Sequence, residues 1–131
     1  MIIDNTLLDK LTAQAKESPR LRMNMDLRNS SADSSQRMLN AIEPGSVVPI
    51  HRHQKTSETV VVLRGRVVEE YYSSAGVLEA SYELAAGGPI YALNIPAGQW
   101  HTLRALESGT VILEMKDGAY EPIGAEDVME R

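Results

Sequence analysis

Residues 45–58 read Gly45-Ser46-Val47-Val48-Pro49-Ile50-His51-Arg52-His53-Gln54-Lys55-Thr56-Ser57-Glu58. The apolar start and the alternation that follows predict a strand over Val47–His53. In a strand, side chains at i and i+2 share one face, so His51 and His53 lie together and Arg52 points the other way. Two imidazoles side by side on an inward face can converge on one metal ion, at about 2.0–2.1 Å each. Glu58 follows after the polar Gln54-Lys55-Thr56-Ser57 segment and opens the run Thr59-Val60-Val61-Val62-Leu63. A hairpin of that length can return its carboxylate beside the two histidines. The remaining histidine, His101, follows Pro96-Ala97-Gly98-Gln99-Trp100, and nothing local pairs it with the others. A closed fold has to bring it to them. A His-x-His pair alone is not diagnostic, because a strand histidine is more often a surface or satisfied core residue than a ligand.

Working outward, the texture from Gln36 onward is β-rich. Strands are predicted near Arg37–Ile42, Val47–His53, Thr59–Leu63, Val67–Tyr72, Leu78–Leu84, Ile90–Ile95, His101–Leu106 and Thr110–Met115. Glu43-Pro44-Gly45, Ser73-Ser74-Ala75-Gly76, Ala86-Gly87-Gly88-Pro89, Pro96-Ala97-Gly98 and Glu107-Ser108-Gly109 punctuate them as turns. Short strands at such regular spacing predict an all-β antiparallel barrel or sandwich of the jelly-roll type. Ahead of it, Leu7, Leu8, Leu11 and Ala15 form the apolar stripe of a short helix, with Asp4 or Asn5 as N-cap and Ser18-Pro19 as the stop. This helix is expected to pack on the barrel or on a second subunit. Arg20 to Ser35 is polar, and its second half reads as loop. Arg20, Arg22 and Arg28 lie either on a solvated linker or over a pocket mouth, where guanidinium groups meet anionic ligands. The expected division is residues 1–35 as helix and polar segment, and 36–131 as the barrel.

The composition narrows the chemistry. The chain has 131 residues, one domain by length, with 13 Lys and Arg against 18 Asp and Glu, a formal charge of −5. That balance argues against a nucleic-acid or anionic-membrane surface. Cysteine is absent, which excludes disulfides, thiolate-ligated metals and thiol nucleophiles. No apolar run is long enough for a membrane span and no signal pattern opens the chain, so a cytoplasmic domain is the default expectation. With only 3 histidines, a Ser-His-Asp triad has no free base once they are committed to a metal.

The spacing Gly45-x5-His51-x-His53-x4-Glu58-x6-Gly65 resembles the first motif of the cupin superfamily at every signature position. By average residue usage, such a match arises by chance on the order of 10⁻⁷ times per starting point. Pro96-x-Gly98-x2-His101 resembles the core of the second motif. Ile90 stands where that motif has glycine and Ala105 where it has asparagine; neither is a ligand position. The resemblance implies a single-domain cupin, with His51, His53, Glu58 and His101 as ligands of a divalent metal and a homodimer as the assembly. A narrower similarity rests on Ser18-Pro19-Arg20-Leu21-Arg22-Met23-Asn24, Gln36-Arg37-Met38-Leu39-Asn40-Ala41, Trp100-His101-Thr102 with Ala105-Leu106, and Glu114-Met115-Lys116. These look like the WbuC-type cupins encoded among bacterial surface-polysaccharide genes, which implies a carbohydrate-like small-molecule ligand. That group carries a longer tail after Asp127-Val128, so one side of the pocket is expected to be more open here.

Three imidazoles and a carboxylate suit Fe(II), Mn(II), Ni(II), Co(II) or Zn(II), and six-coordination leaves two adjacent positions open. If Glu58 points inward, Val60, Val62 and Arg64 share its face, unless Arg64 leaves the barrel near Gly65. His101 shares a face with Leu103 and Ala105. Glu114, between Leu113 and Met115, is the candidate catalytic carboxylate; it is either buried with a partner such as Arg37 or facing solvent. Tyr71, Tyr72, Tyr82 and Trp100 read as packing residues. Two function classes follow: a metal-dependent enzyme (isomerase, epimerase or oxygenase) on a sugar or nucleotide sugar, or a non-catalytic carbohydrate-binding or regulatory metalloprotein.

Overall fold

The computed structural model describes residues 1–129. Helix α1 spans Asn5–Glu17. Asp4 caps it, its carboxylate accepting a hydrogen bond from the Leu7 amide at 3.0 Å, and the helix ends at Ser18, ahead of Pro19. Eight strands follow: β1 Arg22–Asp26, β2 Ser35–Ile42, β3 Glu58–Arg64, β4 Arg66–Tyr72, β5 Leu78–Ala85, β6 Ala92–Ile95, β7 Trp100–Ala105 and β8 Thr110–Asp117. They form a five-stranded sheet, β1-β2-β8-β3-β6, and a three-stranded sheet, β5-β4-β7. Every strand pairing is antiparallel. This is the jelly-roll arrangement with one N-terminal helix.

Alternation gives each strand an inner and an outer face. Ile42, Val60, Val62, Val67, Leu84, Ile95, Leu103, Ala105 and Ile112 fill the space between the sheets. On the back of the larger sheet, Leu39, Ala41 and Val111 bury against Leu8, Leu11 and Ala15 of α1, so the predicted helical stripe is the contact face. Gly65 joins the two sheets between β3 and β4 with φ +84°, and a Cβ there would lie 2.8 Å from the Thr110 backbone. Only glycine fits that corner without strain.

Three local readings differ from the structure. Val47–His53 is not a strand: only His51 makes bridges, to His101 and to Val128. Pro49 has no N–H to offer a ladder, and Val47 lies exposed. Conversely, the polar Arg20–Ser35 segment contains β1, an edge strand paired with β2. Its apolar members, Met23 and Met25, pack on the outer cluster under α1. Strand β6 also starts at Ala92, not Ile90. Arg64 does leave the barrel. A register shift after Val62 turns it outward, and it donates to Asp9 at 2.6 Å, Thr12 at 3.0 Å and the Gly109 carbonyl at 2.8 Å, stapling α1 to the sheet.

Candidate metal centre

Two reciprocal backbone hydrogen bonds, His51 N to His101 O at 3.0 Å and His101 N to His51 O at 2.8 Å, bring the distant histidine home. Inside a β-bridge the side chains of opposed residues sit together, and the two rings lie 4.4 Å apart between centroids. The Gly98 amide donates to the His53 carbonyl at 2.8 Å, so the Pro96-Ala97-Gly98 turn fixes the third ring. One ring nitrogen from each of His51, His53 and His101 lies within 4.8 Å of the others. That is within reach of one ion after small side-chain rotations.

The tautomers follow from the surroundings. His51 Nδ1 lies 2.8 Å from the Pro49 carbonyl and His101 Nδ1 lies 2.8 Å from the Gln99 carbonyl. A carbonyl only accepts, so Nδ1 carries a proton in both rings and Nε2 is the atom turned to the site. Burial lowers the pKa of His51, and lowers that of His53 to about 4, so both rings are neutral near pH 7.

Glu58 opens β3 at the same place, fully buried. Its Oε2 lies 3.3 Å from His101 Nε2 and 3.5 Å from His53 Nε2. Burial opposes its ionisation, yet His101 and the Lys116 ammonium hold the carboxyl down at about 2. Oε2 makes no close hydrogen bond among the described residues. A buried carboxylate oxygen turned toward two imidazole Nε2 atoms is placed to share a cation with them. The donor set of three imidazoles and one carboxylate is the chemistry of a divalent metal site.

Glu114 is buried on the inner face of β8, between Met38 of β2 and Val60 of β3. The solvent-facing alternative is therefore excluded. Arg37 is not its partner: that side chain donates to the Leu27 carbonyl at 2.8 Å and pairs with Asp33 at 3.4 Å. Burial and the charge of Glu58 push Glu114 up to about 7. With Lys116 and His53 it lines a cavity of about 1100 Å³ between the concave face of the larger sheet and residues 118–127. Those residues form one wall of it, and Asp127 holds Arg52 at 2.8 Å. Arg52 in turn lies 4.7 Å over the Trp100 ring.

Glu69 is the buried carboxyl the sequence reading passed over. It is 0% exposed, and neither carboxyl oxygen has a hydrogen-bond partner. Burial, then the charges of Glu58 and Glu114, raises its pKa well above the carboxylate range, so it sits in the barrel as a neutral acid. The signal was available: Val67, Glu69 and Tyr71 share one face by alternation, and Val67 is core. Tyr71 and Tyr82 pack edge to face at 5.4 Å, as packing residues. Of the three arginines, Arg28 lines the cavity, tied to Asp26 at 2.8 Å. Arg22 instead donates to the Val47 carbonyl at 2.8 Å.

Solved structures share this fold at low identity. Capsular polysaccharide assembling protein CapF from Staphylococcus aureus is 18% identical with a TM-score of 0.69, over 86% of this chain and 32% of that one. An oxalate oxidase in complex with the substrate analogue glycolate is 17% identical with a TM-score of 0.67, over 83% of this chain and 57% of that one. KdgF from Halomonas sp. is 15% identical with a TM-score of 0.61, over 79% of this chain and 84% of that one. The chain thus spans about a third of CapF, and the likeness establishes the cupin fold. No curated protein matches the sequence. A family model, Domain of unknown function (DUF6016), matches residues 3–84.

Proposed function

We propose, for a chain that belongs to the DUF6016 family, a divalent-metal cupin that catalyses isomerisation or epimerisation of a small sugar-like or nucleotide-sugar substrate. His51, His53, His101 and Glu58 would hold the ion, which supplies Lewis-acid polarisation of a substrate oxygen. The observation that carries the catalytic reading is Glu114, a carboxyl pushed up to about 7 in the cavity that His53 also lines. A group poised near neutrality can take a proton from carbon and return it, which isomerisation and epimerisation both need. The carbonyls of Pro49 and Gln99 orient the His51 and His101 rings through Nδ1. The polar side chains Asn24 and Gln36 on the cavity wall suit hydroxyl groups. CapF, described as a capsular polysaccharide assembling protein, supports the carbohydrate context. Exposed Ile2, Val77 and Leu78 support a homodimer, which light scattering at micromolar concentration tests; a monomer there contradicts it.

The test of the reaction is hydrogen exchange. Mn(II)- and Fe(II)-loaded protein is incubated in D₂O with a panel of sugars and nucleotide sugars and read by NMR. Deuterium entering a carbon position, lost in Glu114→Gln, is the expected result. Saturable binding with neither exchange nor conversion overturns the enzyme reading and leaves a carbohydrate-binding metalloprotein.

A further inference from the structure

Lys116 lies on the inner face of β8, opposite Gln36 of β2 and Glu58 of β3, and lines the same cavity as His53 and Glu114. Its side chain is 16% exposed, and its ammonium reaches Glu58 Oε1 at 3.9 Å. Among the described residues this long contact is its one ion pair. The other cations around the cavity already have acidic partners: Arg28 holds Asp26 at 2.8 Å, Arg52 holds Asp127 at 2.8 Å, and Arg37 holds Asp33 at 3.4 Å. Lys55 reaches Glu121 at 3.5 Å on the exposed rim.

The partner of Lys116 is thus a residue that the proposed function assigns to a metal. Once Glu58 gives its charge to a divalent ion, Lys116 is left without a counter-charge in a half-buried place. Neither of the other buried carboxyls, Glu69 and Glu114, forms an ion pair with its ammonium among the described residues. The three imidazoles add nothing negative. The ion and Lys116 would therefore set positive charge side by side at the metal end of a cavity whose wall carries both signs, and a low dielectric there strengthens their pull on an anion. Ligand oxygens at the ion and an anionic group on the ammonium would satisfy both at once.

We infer that Lys116 is a specificity-determining residue that makes this cavity select anionic sugar derivatives, bearing a carboxylate or a phosphate, over neutral sugars. The inference rests on the metal reading above and names its substrate class. An ammonium is a point charge, so it accepts either anion without the forked geometry an arginine would impose.

The test uses Co(II)-loaded full-length chain, with metal content measured first. D-glucuronate, glucose 1-phosphate and glucose are titrated by calorimetry while the visible Co(II) spectrum reports on ligand oxygens at the ion. The expected result is saturable binding of at least one of the two anions at least tenfold tighter than glucose. Lys116→Met abolishes that preference while keeping its cobalt, and Lys116→Arg retains it. The two anion arms show whether carboxylate or phosphate is the better group. Glucose binding as tightly as both anions, or an undiminished preference in Lys116→Met, overturns the inference while the metal site stands. Failure of all three ligands to bind overturns it as well. Protein that takes up no cobalt overturns the metal reading and this one with it.

Discussion

Replacing Glu114 by glutamine isolates the cost of placing a carboxylate inside the barrel. In the fold this carboxyl is pushed up to about 7 by burial and by Glu58, against an ordinary value of 4.5. The folded chain therefore holds the proton more tightly than the unfolded chain. Stability falls as pH rises from about 4.5, and the loss is complete above about 7. At about 1.4 kcal/mol for each tenfold difference in proton affinity, the full penalty is about 3 kcal/mol. Glutamine keeps the shape and cannot ionise. Glu114→Gln should match the parent near pH 4.5 and exceed it by about 3 kcal/mol at pH 8 in the metal-free state. Urea unfolding of chelator-treated protein at half-unit pH steps reads this directly, because the midpoint moves while the slope stays constant. Equal pH dependence in the two proteins, or a variant weaker than the parent at pH 8, refutes the argument. Either result would mean that Glu114 is solvated or paired in solution.

Glu69→Gln should also stabilise the metal-free protein increasingly above pH 5, since the fold holds that carboxyl neutral; equilibrium unfolding checks it, and a loss of stability at pH 8 contradicts it. Metal affinity should fall on acidification as protons compete for the imidazoles, with the share due to His51 and His53 lost only below the ordinary histidine range because burial lowers both; competition with a chelator at each pH measures this, and an affinity unchanged down to about pH 4 contradicts it. Gly65→Ala should cost about 2 kcal/mol, combining a left-handed backbone with a Cβ pressed on the Thr110 backbone; an unchanged thermal midpoint contradicts it.

The sequence made the site legible where one periodicity governed it. Glu58, Val60 and Val62 share a face by simple alternation, and the burial of all three follows that pattern. The stripe of α1 was legible for the same reason. His101 was recognisable by its motif, but its partner was not, because the bridge to His51 depends on how the sheets close. Val47–His53 misled because a residue can be extended and inward-facing without a ladder, and Pro49 prevents one. Strand β1 hid because Arg22, Asn24 and Asp26 are polar and face the cavity side, while methionines supply its apolar contacts. For Glu114 the sequence left buried and exposed open, since a glutamate in an apolar strand fits either. Only the register opposite Met38 and Val60 decides it. Glu69 reads locally as one of an acidic pair, Glu69-Glu70, and its isolation emerges only when β5 and β7 flank it.

The central claim is that His51, His53, His101 and Glu58 hold one divalent ion. Elemental analysis of protein purified without added metal, and again after loading and desalting, tests it most directly when run beside the His51→Ala/His53→Ala double variant. The account predicts about one equivalent per chain in the loaded parent and under about a tenth in the folded double variant. A parent that retains under about a tenth of an equivalent after loading, or a double variant that retains as much as the parent, contradicts it.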